Sequence, residues 1–273
     1  RTPRRSESDY SRCGPDHDRP TSPTWAFPAA EKALQICEAA LWSKEGKRAR
    51  KWLKGRGLDL ETVRLRRLGF NPAKRKLSGL WVWKGIVIPC FVEDEIWYLK
   101  VRRPTLGPKY KQVKGSGQFA LYGLDRMKGK KVIFVCEGEF DAMLLYQEAG
   151  DLVDVVATGA AHHRPASSSI AALLGATHWF VALDADGAGN KGSAWWEDFS
   201  RRVHRARPLQ GNDVTDFCSQ GGNLRAWVLD QLDRLGMEPA PADLEAGSAS
   251  EAPVAGVPRI SLEQQAEGLL ARC

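Results

Sequence analysis

The 273 residues carry 40 Lys+Arg against 33 Asp+Glu, and 43% of them are hydrophobic. That composition suits one large or two modest globular domains and excludes a fibrous or low-complexity chain. No run approaches the roughly 20 apolar residues that a membrane helix needs, and no apolar leader opens the sequence, so the expected setting is soluble and cytoplasmic, with no membrane contact.

Residues 1–25 are polar, charged and proline-rich and read as a disordered linker. Helical periodicity begins near Phe27. It runs through "AAEKALQICEAALWSKEG" and again through "KRARKWLKGRGLDLETVRLRRLGF", where Gly55 and Gly57 interrupt it and Ala49, Trp52 and Leu53 share a face. "GLWVWKGIVIPCFVEDEIWYLKVRRP" alternates apolar and polar residues and reads as a hairpin turning at Glu93-Asp94-Glu95; its tryptophans are more often core than base-stacking platforms, and no role is assigned to them. These segments make residues 26–130 a basic α+β subdomain.

From Lys131 the pattern changes to strand, helix, strand, helix, which predicts a parallel sheet with right-handed crossovers over residues 131–218. "KVIFVCEGEFDAMLLYQEAG" reads as a strand entering an amphipathic helix, "DLVDVVATGAAH" as a second strand, and "THWFVALDADG" as a third. Residues 219–236 form a C-terminal helix, and 237–273 a flexible linker with a short helix near its end.

The net charge of +7 hides an asymmetry: residues 1–131 hold 30 Lys+Arg against 13 Asp+Glu, whereas residues 132–273 hold 10 against 20. A basic half followed by an acidic half predicts a grip on a polyanion joined to a cation site. The six cysteines are scattered, none in the close pairs that zinc sites use, so no zinc site is expected; Cys90 and Cys136 read as buried reduced thiols.

The acidic residues gather at strand ends. Glu137 sits at the tip of the first strand with Asp141 one helical turn on, Asp184 and Asp186 follow the third strand, and Asp213 and Asp216 come after the next helix. Carboxylates so gathered repel one another unless a divalent cation lies among them. The plainer alternative is that Asp186 only caps the following helix while Asp184 faces solvent.

"EGEFDAM", "ATGAA", "ALDADGAG" and "NDVTD", in that order and spacing, resemble the TOPRIM domain of bacterial (DnaG-type) primases, topoisomerases and some nucleases. "RKWLKGRGLDLETVRLRRLGFNP", "VRRPTLGPKYKQ" and "LYGLDR" resemble the segments that precede that domain in the primases. The resemblance spans roughly residues 30–220. It implies an α/β fold, a Rossmann-like, mostly parallel sheet with flanking helices, and a catalytic core that makes short primers on single-stranded DNA by metal-dependent nucleotidyl transfer. It further implies Glu137, Asp184 and Asp186 as catalytic residues, and Glu137, Asp141, Asp184, Asp186 and Asp213 as holding Mg²⁺ or Mn²⁺. Arg56, Arg102, Arg103, Lys109, Tyr110 and Lys111 would line the cleft for template and nucleoside triphosphates. A replicative helicase and a separate zinc-binding module are the partners it implies, in a nucleoid-associated setting.

The sequence also departs from the family's pattern, as a divergent or minimal member, such as one from a mobile element, would. Asn212 stands where lysine is frequent, Thr215 where many primases carry a carboxylate, and no lysine precedes "LYGL". The alternatives are a TOPRIM nuclease and a catalytically silent module that binds single strands.

Overall fold

The structure, a computed structural model, describes residues 24–104 and 107–237. The linkers expected before residue 24 and after residue 237 lie outside the described residues. The described chain begins at Thr24, whose N–H donates to Gly115 O at 2.9 Å, and Trp25 is buried. Among the described residues no helix is long and apolar enough to cross a membrane.

Helix α1 (Phe27–Trp42) buries Ala30, Ala33, Leu34, Cys37 and Leu41, a stripe spaced by three, one, three and four residues that follows the helical repeat. Helix α2 (Lys47–Gly55) is basic outside and inserts Ala49 and Leu53. Asp59 caps α3 (Leu60–Leu65), accepting from Thr62 N at 2.6 Å.

The expected long hairpin divides. Leu80–Val82 (β3) pairs with Arg75–Leu77 (β2) in a separate two-stranded sheet, while Gly85–Val92 (β4) and Glu95–Arg102 (β5) form the main hairpin. Gly85 makes the division: its φ of 147° and the adjacent Arg102 carbonyl leave no room for a Cβ. The turn falls on Glu93 and Asp94, both at positive φ, as a two-residue turn matching strand twist requires. Gly69–Asn71 (β1) and Tyr110–Gln112 (β6) complete an antiparallel sheet in the order β1-β4-β5-β6.

The second sheet is fully parallel, in the order β10-β9-β7-β8: Val132–Cys136 (β7), Asp154–Ala157 (β8), His178–Ala182 (β9) and Val203–Arg205 (β10). Helices α4 (Glu139–Ala149), α5 (Ser167–Ala171) and α6 (Gly187–Phe199) make the crossovers, and α7 (Val214–Ser219) and α8 (Leu224–Asp233) follow. The chain thus has the α/β fold expected, with two differences. Strand β10 was not anticipated, and α4 is not amphipathic. It is enclosed by β7, β8, α7 and α8, and eight of its eleven residues are buried, Glu139 and Asp141 among them.

One apolar cluster joins the two sheets. It runs from Leu53 and Leu58 through Ile88 and Tyr98 of the antiparallel sheet to Phe134, Met143 and Trp227 of the parallel one. Trp227 meets the Phe134 ring edge-on at 5.4 Å, which fixes α8 onto the sheet. Cys90 and Cys136 are free and buried, as expected, and burial pushes both thiols well up from their ordinary range.

A candidate catalytic and metal site

Parallel strands deliver their C-terminal ends to one edge, and the turns leaving β7, β9 and β10 put the acidic residues there. Oxygens of Asp141, Asp184 and Asp213 come within 4.8 Å of one another. Asp141 reaches this point from the first turn of α4, Asp184 from just beyond β9, and Asp213 from the N-cap of α7. The plain alternative for Asp186 holds in part: it caps α6, accepting from Ala188 N at 2.9 Å and Gly189 N at 2.8 Å. Asp184 does not simply face solvent; it is half-buried amid the other carboxylates.

Each carboxylate is aimed by hydrogen bonds. Asp213 Oδ1 accepts from Asp216 N at 2.6 Å. Asp141 Oδ1 accepts from the Thr215 amide at 3.0 Å and from the Thr215 hydroxyl at 2.5 Å. In Asp141, Asp186 and Asp213 these bonds fall on Oδ1, leaving Oδ2 as the oxygen each can turn to a cation. Asn212 Nδ2 donates to Asp184 Oδ2 at 3.1 Å, and Arg205 donates to the Asp184 carbonyl at 2.9 Å. The two departures at positions 212 and 215 therefore orient carboxylates of the cluster.

Glu137 is not in the triad. Its Oε2 lies 3.4 Å from Asp184 N, and the negative charge of Asp186 acts on it. Asp184 stands between the two groups. Burial, and then Glu137 and the neighbouring aspartates, push its carboxyl up to about 7. Burial followed by Asp213 raises Asp141 as well, and burial raises Glu137. Hard oxygen donors gathered at this spacing, two of them with carboxyls raised chiefly by burial, fit a divalent cation.

The positive side is built on β5 and β6. Arg102 pairs with Tyr110 across the strands, its guanidinium 5.6 Å from that ring and 5.4 Å from Trp52. Arg56 stacks on Trp52 at 5.2 Å and on Phe140 at 5.5 Å, and its charge acts on Asp141. Burial, then the charge of Glu139, pushes the Tyr110 hydroxyl up to about 12. Arg103 lies over Trp83, and its N–H donates to Lys109 O at 2.8 Å. Lys109 is exposed. Lys111 is exposed too; it pairs with Val101 and so alternates to the opposite face from Tyr110. Arg56, Arg102 and Tyr110 are thus brought together near the rim, whereas Lys111 is turned from them.

Sequence reasoning missed three residues. Glu139, the middle carboxylate of "EGEFD", is 1% exposed, takes the Lys100 ammonium at 2.6 Å and accepts from the Tyr98 hydroxyl at 3.0 Å. Lys100 also donates to Gly159 O at 3.1 Å, in the turn after β8. An acid two residues from Glu137 and Asp141 was the available signal.

Gly189, in the first turn of α6, lies so close to the Asp184 backbone that a Cβ cannot enter without moving the segment after β9. Gly189→Ala is expected to cost about 1–3 kcal/mol, the range for overpacking. Urea unfolding measures this, and unchanged stability would show that the rim yields.

By sequence the chain matches no protein-family model and no curated protein. By structure it is similar to the Aquifex aeolicus primase (zinc-binding and RNA polymerase domains), with 20% identity and a TM-score of 0.60 over 77% of this chain and 59% of that one. The chain thus spans well under two thirds of that protein. It is also similar to the RNA polymerase domain of Mycobacterium tuberculosis primase DnaG in complex with a double-stranded DNA oligomer bearing a 6-nucleotide overhang. There the identity is 19% and the TM-score 0.61, over 74% of this chain and 79% of that one. A third match is the DnaG primase catalytic domain bound to ssDNA, with 16% identity and a TM-score of 0.58 over 77% and 85% of the two chains. The chain has the fold of the DnaG-type primase catalytic core, at 16–20% sequence identity.

Proposed function

We propose that this chain is a primase-type nucleotidyltransferase that joins nucleotides into short primers on single-stranded DNA. The observation that carries the reading is the meeting of Asp141, Asp184 and Asp213 at the edge of a parallel sheet within this fold. Mg²⁺ or Mn²⁺ is the cofactor, with Glu137 and Asp186 beside the triad. Held there, a cation of this kind would stabilise charge developing on phosphoryl oxygens as a 3′-hydroxyl oxygen bonds to the α-phosphorus of a nucleoside triphosphate, the bond to the β-phosphate breaks and pyrophosphate leaves.

The chain's own groups do the rest. Arg56, Arg102, Arg103 and Lys109 neutralise phosphates of template and nucleoside triphosphate, Lys111 being turned to the other face, and Tyr110, braced by Arg102, forms part of the wall against which they lie. Glu137, its carboxyl held above the ordinary range by burial, accepts a proton from the attacking hydroxyl. The chain acts in the cytoplasm on nucleoid DNA, alongside a replicative helicase and a zinc-binding module.

The test is synthesis on single-stranded templates with labelled nucleotides and either metal, products being sized on a gel. Wild type is expected to yield short products and Glu137→Gln none, at an unchanged melting temperature. No product with either metal, shortening of the template instead, or full activity in Glu137→Gln would each overturn the proposal.

A further inference from the structure

Residues 62–92 contain seven Lys and Arg and no Asp or Glu. The β2–β3 hairpin lies inside this stretch. Its register pairs Lys76 with Trp81 and Leu77 with Leu80, so alternation sends Leu77 and Val82 into the core and leaves Lys76 and Trp81 outside. Trp81 is 53% exposed, the one tryptophan among the large exposed apolar side chains described. A single exposed apolar residue is ordinary. The arrangement of cations around this one is not.

Lys74 Nζ lies 5.7 Å from the Trp81 ring and Lys76 Nζ 6.0 Å from it. Lys74 also sits 4.3 Å from the Trp83 ring, and Arg103 lies 4.9 Å from that same ring. Arg102, next to Arg103 in the chain, makes its ring contacts separately, with Tyr110 and Trp52. The exposed Trp81 indole with ammonium groups beside it, backed by the partly buried Trp83, suits bases joined by phosphates: the ring stacks and the cations neutralise. A protein partner is disfavoured, because lysine is depleted from the cores of protein interfaces.

We infer that Trp81 and Trp83, with Lys74, Lys76 and Arg103, form a stacking platform for unpaired bases of a single strand, outside the acidic rim. The inference rests on the reading of this chain as one that works on single-stranded DNA, and apart from Arg103, which it shares with the cleft, it adds residues that the cleft does not include. Stacking on indole does not distinguish bases, so the platform holds template of any sequence.

The test uses the whole chain, without nucleotides or metal. Fluorescence anisotropy is measured with an oligothymidine and with an abasic strand of equal length, for wild type, Trp81→Ala, Trp81→Phe and Lys74→Ala, with melting temperatures recorded. Trp81→Ala is expected to weaken oligothymidine binding about tenfold or more, Trp81→Phe to retain most of it, and neither to change binding of the abasic strand. Lys74→Ala should weaken both strands and lower the slope of log affinity against log salt by about 0.7. Equal affinities of wild type and Trp81→Ala for oligothymidine, or equal losses on both strands, overturn the platform. So does self-association in sedimentation that Trp81→Ala abolishes. Failure of synthesis with Trp81-dependent binding intact would overturn the proposed activity and leave the platform standing.

Discussion

Asp184→Asn combined with Asp186→Asn is expected to reduce synthesis on the order of a thousandfold or more, since the pair removes charge from both sides of the acidic rim. Binding of single-stranded DNA should persist or tighten, because negative charge beside a polyanion has been removed. The same substitution at Asp184 has a stability signature. In the unfolded chain an aspartate ionises near pH 4; in the metal-free fold Asp184 keeps its proton up to about 7. The folded state therefore binds the extra proton between those values, and stability falls as pH rises from about 4 to about 7, then levels. Asp184→Asn has no such fall from this position. The variant should match wild type near pH 4 and exceed it near pH 8 without metal. Added Mg²⁺ should reverse the order by stabilising wild type alone. Thermal melts across pH, with and without Mg²⁺, measure all of this. A metal-dependent gain retained in the double variant would place the cation elsewhere.

Lys100→Ala is expected to destabilise the protein by about 3–5 kcal/mol, the cost of leaving a buried carboxylate without its partner. Glu139 is nearly inaccessible, and its remaining partner is the Tyr98 hydroxyl. Urea unfolding supplies the number. Lys100→Met combined with Glu139→Gln should recover much of the loss, since no unpaired charge then remains. If Lys100→Ala costs under about 1 kcal/mol, water reaches Glu139 and the pair behaves as a surface salt bridge.

The strands of the parallel sheet were legible because "VIFVC" and "HWFVA" are short apolar runs ended by acids and glycine, and no helix period fits them. Strand β10 was not, since Val203-His204-Arg205 has one apolar residue in three. The acidic rim was legible as a list of carboxylates, not as a grouping. That Asp141 meets Asp213 depends on the phase of α4 and on a contact across some seventy residues, which no local pattern records. Glu139 shows the same limit: it shares a motif with Glu137 and Asp141 yet bonds Lys100 on the antiparallel sheet. Residue type favours the core for Trp81, whereas the register of β2 with β3 puts it outside.

The apolar cluster that passes from Leu53 and Tyr98 to Phe134 and Trp227 makes the two sheets one folding unit. An acidic sheet moved by recombination without its basic neighbour would carry a raw apolar face and an unmatched Glu139, both of which favour aggregation over folding. Either sheet expressed alone is therefore expected to aggregate, whereas a fragment that keeps both should stay soluble.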